Sequence, residues 1–318
     1  MNGIQRLRQL RGWLHEGIRK PKRDAALLAG ATLLLAVALV MPPVPLPRAL
    51  SETIVVFDIT QSMDVEDAQV DGVPTSRLAF AREAARRSLR DLPCGSRVGW
   101  AAFTEYRTLL LLAPIEVCEN YNDLLATLAG IDGSLRWGNA SEVAKGVFWA
   151  LRAARELGTK PAVVFLTDGQ EAPPQVAFPR FDDVQAGEVR GWLLGVGGTV
   201  PQPIPRTDAE GNRIGYWRAG DVMQRNPEAG QPASREHLSE LREPHLRALA
   251  TRTGLGYRAL RDPGELAALL LDPSVAHPGR VPTELRAIPA IAALLLLCVY
   301  YRPDARRRAP PVSRTSDT

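Results

Sequence analysis

Two uninterrupted apolar runs bracket the chain: "AALLAGATLLLAVALVM" (25–41) and "IPAIAALLLLCVYY" (288–301), the latter set between Arg286 and Arg302. At about 1.5 Å rise per residue the first spans roughly 25 Å, slightly short of the ~30 Å hydrocarbon core of a bilayer. The second is shorter and needs snorkelling arginines and interfacial tyrosines to cross. A signal peptide and a buried core helix are the alternatives. "PPVPLPR", rather than a small-x-small cleavage site, follows the first run. We expect transmembrane helices over 25–41 and 286–301, with residues 42–52 a stiff extended spacer.

Between the runs, short buried strands alternate with amphipathic helices. "TIVVFDI", "PAVVFLTDG" and "EVRGWLLGVGG" are β-branched or apolar runs suited to strands covered on both faces. "SRLAFAREAARRSLRDL" puts Leu78, Ala81, Ala85 and Leu89 on one stripe with arginines opposite. "RVGWAAFTEYRTLLLLAP" reads as a hairpin turning near Glu105 and Tyr106. "NYNDLLATLAGI" is a helix capped by Asn120 or Asn122, and "SEVAKGVFWALRAARELG" is a longer one that Ser141 can cap. Residues 199–235 form a polar insertion with a small hairpin around Glu210-Gly211-Asn212. "SREHLSELREPHLRALATRTG" is a helix interrupted at Pro244, and "GYRAL" a last strand. The pattern predicts an α/β domain over 53–272: a doubly wound, mostly parallel sheet with one antiparallel edge strand.

Composition is globular, with 45% hydrophobic and 23% charged residues and a net charge of +4. The positive charge gathers in the tails, 1–24 and 302–318, each abutting an apolar run, which favours a membrane over nucleic acid. The positive-inside rule then puts both termini in the cytoplasm and the body across a bacterial inner membrane, in the periplasm. That compartment allows a Cys94–Cys118 disulfide. If the hairpin turns over Glu105–Arg107, Thr104 faces Thr108 and the extended ladder sets the two cysteines opposite each other.

Two of the strands end in carboxylates. "VVFDITQSMD" carries Asp58, Thr60 and Ser62 at alternate positions, Asp168 ends the later strand, and Ser141 opens the helix before it. Ligands of open α/β sheets sit beyond the carboxyl ends of the strands. Carboxylates and hydroxyls without histidine or cysteine make a hard-oxygen site suited to Mg²⁺, Ca²⁺ or Mn²⁺. Taken singly the pieces are ordinary cap and turn residues; their order and strand-end placement give them weight. Gly195-Val196-Gly197-Gly198 lacks phosphate-loop spacing and reads as a strand-end turn. His237 and His245 fall on one polar helix without metal spacing. Trp192 and Trp217 read as packing, with Trp137, beside the metal loop, the exception.

"FDITQSM", "ASEVAKGV" and "FLTDGQE" resemble the three pieces of the metal-ion-dependent adhesion site of von Willebrand factor A domains. The family pattern is Asp-x-Ser-x-Ser, a later Thr and a Thr-Asp-Gly; here Thr60 replaces the first Ser and Ser141 the Thr. The resemblance implies Ser62, Thr60 and Ser141 in direct contact with the ion and Asp58 and Asp168 partly through water. "LPCGSRVG", "FTEYRTLLLLAP", "WGNASEVAKG" and "GYWRAGDV" further resemble the membrane-anchored A-domain proteins encoded with bacterial methanol dehydrogenase (the MxaL type). That resemblance implies maturation of a periplasmic quinoprotein dehydrogenase with a MoxR-type AAA+ ATPase, the partner being the dehydrogenase or a sibling A-domain protein. Neutral hydroxyl ligands leave the ion net positive, so the partner is expected to offer an acidic side chain. No general base, nucleophile or redox group accompanies the site, so a non-enzymatic binding module is expected. The alternatives are a metal-dependent hydrolase or phosphotransferase, for which Thr60 stands where a second Asp belongs, and a structural anchor with a degenerate site.

Overall fold

A computed structural model describes residues 21–174, 178–179, 183–208, 212–222 and 235–302. The basic tails, apart from 21–24 and Arg302, lie outside these residues, as does the turn at 209–211. The chain forms two compact units, Met1–Leu46 with Pro282–Thr318, and Pro47–Val281.

In the first unit, α1 (Pro21–Val40) begins inside what the sequence reads as tail. An 18-residue window of it, Arg23–Val40, has mean hydropathy 1.8, so by length and composition it is able to cross a membrane. Among the described residues it is the one helix that meets both criteria; the 15-residue helix Ala287–Tyr301 is shorter. The two helices pack antiparallel through small residues. Ala31 and Ala293 are buried, and Gly30 lies against Leu296. Arg286 Nε donates to the Met41 carbonyl at 2.9 Å, satisfying an acceptor just past the end of α1. Leu33, Leu39, Ile288, Leu294 and Leu295 remain exposed around the pair.

The remaining elements follow in order: β1 (Val44–Leu50), β2 (Glu52–Asp58), β3 (Ala68–Val70), β4 (Val73–Thr75), α2 (Arg77–Asp91), β5 (Arg97–Thr104), β6 (Arg107–Glu116), α3 (Tyr121–Ala129), α4 (Val143–Glu156), β7 (Ala162–Thr167) and β8 (Gly191–Gly195). Then come β9 (Gln202–Pro203), β10 (Pro205–Thr207), β11 (Arg213–Tyr216), β12 (Leu238–Ser239), α5 (Glu243–Thr253), β13 (Gly256–Ala259), α6 (Glu265–Leu270), β14 (His277–Thr283) and α7 (Ala287–Tyr301). Six strands make the central sheet in the order β13-β8-β7-β2-β5-β6, all parallel except the edge strand β6. Alternation along β2 separates two cores. Val55 and Phe57 pack with α2, α3 and α6, while Ile54 and Val56 pack with α4 and α5. The predicted stripe of α2 is buried throughout, and Ser76 caps that helix through Ala79 N.

Several local expectations are corrected. The segment 44–50 is extended, as its prolines demand, but it pairs with β14 rather than running free as a spacer. Asn120 occupies the N-cap of α3, yet its side chain caps nothing and donates back to the Glu116 carbonyl. Pro244 starts α5, where its missing N–H costs nothing, instead of interrupting a longer helix. His237 therefore falls outside the helix that carries His245.

Cys94 and Cys118 are joined by a disulfide with Cα atoms 5.3 Å apart. The register that suggested the pairing is different. Thr104 faces Arg107 across a two-residue turn, with Glu105 at a positive φ of 60°. Two irregularities flanking Trp100 then advance β6 relative to β5. Gly99 lies there because a Cβ would sit 2.5 Å from the Leu112 carbonyl oxygen. The cysteines lie beyond the ends of both strands, where Glu116 accepts from the Gly95 and Glu119 amides and shapes the loop. Closing this loop is expected to stabilise the domain by about 3 kcal/mol. Denaturant melting of a Cys94→Ala/Cys118→Ala pair should show that loss, and alkylation of unreduced, denatured chain should label Cys298 alone. Three labels per chain would refute the bridge.

Candidate metal centre

β2 and β7 are neighbours in the sheet although β5 and β6 intervene in sequence, so the strand order reverses between them. Asp58 ends β2 and Asp168 directly follows β7. The reversal leaves space above the strand ends because the flanking connections leave in opposite directions. Thr60 is extended (φ −66°, ψ 161°) and the chain then tightens into a 3₁₀ turn over Gln61–Asp64. The alternation read through Ser62 thus holds only to Thr60. Ser62 is carried by the turn, and its hydroxyl still comes to 3.2 Å from that of Thr60.

Asp58 is fully buried. Its Oδ1 accepts from Thr60 N at 2.9 Å and from Thr60 Oγ1 at 2.6 Å, and its Oδ2 accepts from Thr167 Oγ1 at 2.6 Å. Burial first, and the Asp168 charge second, push the Asp58 carboxyl up to about 7 against the hydrogen bonds from Thr167 and Thr60. Ser141 does not cap α4, whose N-cap is Glu142. Its hydroxyl donates instead to the Gln170 carbonyl at 2.7 Å, and its backbone bridges Glu105 and Ala172. Thr60, Ser62 and Ser141 line one cavity, while the two aspartates lie behind them.

The buried cation of this rim is a residue that helix patterning assigned to a polar face. Arg77, at the start of α2, is fully buried. Nη1 donates to Asp168 Oδ2 at 2.6 Å and to Ser239 Oγ at 2.7 Å. Nε and Nη2 make a fork with Asp67 at 2.8 and 2.7 Å. Burial opposes ionisation of Asp67, but the Arg77 hydrogen bonds and charge outweigh it and hold the carboxyl below its usual range. Gly197 has φ +110°, and a Cβ there would lie 2.3 Å from Arg77 Nε. The glycine run after β8 is therefore a strand-end turn that makes room for the guanidinium. An arginine one residue after a Ser cap, next to the apolar Leu78, was the available signal; only the fold reveals its partners. Thr167, adjacent to Asp168, was missed likewise. Trp137 is 47% exposed and stands outside the cavity wall, whereas Trp217 from the insertion is part of it.

No family model matches the chain. Curated relatives include a protein named UPF0353 from Mycobacterium sp. strain KMS, 32% identical over 161 residues, or 47% of this chain and 44% of that one. A like-named protein of Mycolicibacterium paratuberculosis is 29% identical over the same length. The chain spans less than half the length of these relatives. Among solved structures, an aerotolerance-related membrane protein from Bacteroides fragilis is 19% identical, covering 69% of this chain and 96% of that one with TM-score 0.47. The BatB protein of Bacteroides thetaiotaomicron is 22% identical, covering 69% and 95% with TM-score 0.47. A von Willebrand factor type A structure from Catenulispora acidiphila is 14% identical, covering 74% and 50% with TM-score 0.41.

Two predictions follow from the charges. Arg77→Ala leaves Asp168 buried without its cation and should cost about 3–5 kcal/mol in urea unfolding, against less than about 1 kcal/mol for exposed Arg90→Ala. Equal losses would contradict the buried ion pair. In chelator, the Asp58 contribution to stability is fully present below its ordinary value of 3.8 and is lost as pH rises through about 7. The melting temperature of the wild type relative to Asp58→Asn should therefore fall between about pH 4 and 7 and level off above. A difference that stays flat or rises would show that the carboxylate is not strained by burial.

Proposed function

We propose that this chain is a membrane-anchored von Willebrand factor A-type module that holds a divalent cation at the sheet rim and uses it to grip an acidic side chain of a protein partner. The observation that carries the reading is the convergence of Thr60, Ser62 and Ser141 on one cavity, backed by Asp58 and Asp168. The donor set fits the ion. Hydroxyls of Thr60 and Ser62 at 3.2 Å are close to the ~3 Å edge of an octahedron with metal–oxygen distances of about 2.0–2.1 Å. A carboxyl pushed up by burial first and by a second carboxylate next is the electrostatic setting that a cation relieves.

Thr60, Ser62 and Ser141 would contact Mg²⁺, Mn²⁺ or Ca²⁺ directly, with Asp58 and Asp168 set behind them. When bound, the ion would supply positive charge that neutral hydroxyls do not cancel, which an acidic side chain of a partner would complement. Asp58 orients the Thr60 hydroxyl through its 2.6 Å bond, and Arg77 fixes Asp168. We read this arrangement as one that binds rather than turns over.

Within this reading α1 and α7 both span the bacterial inner membrane, with the termini cytoplasmic and the α/β unit periplasmic. The apolar exteriors of the two helices and the disulfide support it. The client is a periplasmic quinoprotein dehydrogenase of the methanol type or a sibling A-domain protein, and a MoxR-type ATPase drives its maturation from the cytoplasmic side.

Calorimetry on the full chain in detergent tests the metal. Wild type should bind Mg²⁺ and Mn²⁺, Asp58→Ala should abolish binding, and Ser141→Ala should weaken it by roughly tenfold. Wild type that takes up neither ion removes the proposal.

A further inference from the structure

The cavity in front of the three hydroxyls encloses about 370 Å³ and is largely apolar beyond them. Ala140, Ala172 and Pro173 form one wall, and Ile204 and Trp217 from the insertion form the other. Trp217 is held in place from three directions. Its amide donates to the Ile204 carbonyl at 3.0 Å, the Arg206 guanidinium lies 4.9 Å above its ring, and its indole N–H donates to Gln61 Oε1. Gln61 also donates to Asn139 Oδ1 at 3.3 Å. The residue between hydroxyl donors Thr60 and Ser62 thus clips both walls to the metal loop.

Further apolar surface adjoins the cavity along the chain. Trp137 is 47% exposed, and on β11 Ile214 is 58% and Tyr216 51% exposed. Exposed aromatic and aliphatic surface beside a fixed polar anchor is the composition of a protein docking site. Among the described residues the lining includes Asp221 and Glu236 but no lysine or arginine. A polyanion such as nucleic acid is disfavoured there, and one carboxylate on the cation is the negative charge the cavity accommodates.

We infer that the cavity receives a large apolar side chain lying one or two residues along from the Asp or Glu that the partner places on the cation. This rests on the metal-grip reading and adds the partner's second determinant. A glutamine side chain plus one hydrogen bond spans roughly 7–8 Å, which an extended peptide covers in two residues at about 3.3 Å each. The metal loop and the Trp217 wall are therefore spaced for neighbouring side chains of one strand.

The test uses immobilised heptapeptides with a central Asp followed, at the next or next-but-one position, by Leu, Phe or Gly, and matching peptides with Asn for Asp. Full-length chain in detergent is applied with Mn²⁺ or with chelator. The readout is the affinity ratio of the better Asp–Leu or Asp–Phe peptide to Asp–Gly on the same protein, which cancels any effect of a variant on the ion. Burial of one such side chain predicts a ratio of about tenfold or more in wild type. The ratio should fall toward one in Trp217→Ala, which removes the wall, and in Ala140→Leu, which fills the cavity from the opposite side. A wild-type ratio of one, with binding still dependent on Asp and Mn²⁺, overturns the apolar slot and leaves the metal grip standing. Asp peptides that bind no better than Asn peptides, or as well in chelator, overturn the grip itself.

Discussion

The rim of this sheet depends on a guanidinium that solvent never reaches. Arg77 joins the start of α2, the loop carrying Asp67, the carboxylate after β7 and the short strand at Ser239. A buried carboxylate without a counter-charge favours its neutral form, and a buried arginine has no neutral form to retreat to. Each charge is therefore tenable only while the others stay in place. Among the described residues Asp58 has no such cation; it accepts from the hydroxyls of Thr60 and Thr167 and from the Thr60 amide. The protein neutralises one of its two rim carboxylates and leaves the other strained, an asymmetry suited to a site completed by an external ion.

Topology decides why those two carboxylates meet. A parallel sheet whose order reverses between β2 and β7 brings the ends of both strands together, although 109 residues separate Asp58 from Thr167. Packing on both faces keeps the strand ends from drifting. Phe57 lies against Trp100 on one side, and Phe165 against Phe103 on the other. The strand ends fix Asp58 and Thr167, and the short turns that follow or precede them carry Thr60, Ser62 and Ser141 to the cavity.

The insertion after β8 supplies part of the cavity wall at the rim. Its hairpin leaves Ile214 and Tyr216 exposed and brings Trp217 to the metal loop through Gln61. The loop before α4 is tied to the same hairpin, since Arg136 bonds the Ile59 carbonyl, Asp64 and Thr207. The hydroxyl-lined end of the cavity thereby acquires apolar walls from Ile204 and Trp217.

The sequence alone determined the main strands and helices of the central layer, the mostly parallel sheet with its antiparallel edge, and which carboxylates end strands, but not the strand at 44–50 or the short strand at 238–239. Those features follow from period-2 and period-3.6 apolar patterning and from turn chemistry, which act over neighbouring residues. The stripe of α2 and the hydroxyl order Asp58, Thr60, Ser62 were legible for that reason. Cys94 and Cys118 were legible as a pair, but the route to them ignored the ladder irregularities that Gly99 permits, and those depend on how close β6 lies. Arg77 shows the limit most clearly. On its own helix it is one more arginine, and its burial is decided by Asp67, Asp168 and Ser239, up to 162 residues away. The roles of Thr167, of Trp217 in place of Trp137, and of Ser141 as a donor to Gln170 were decided the same way. Local chemistry names the donors, but only the assembled sheet brings together the charges and walls that give each donor its work.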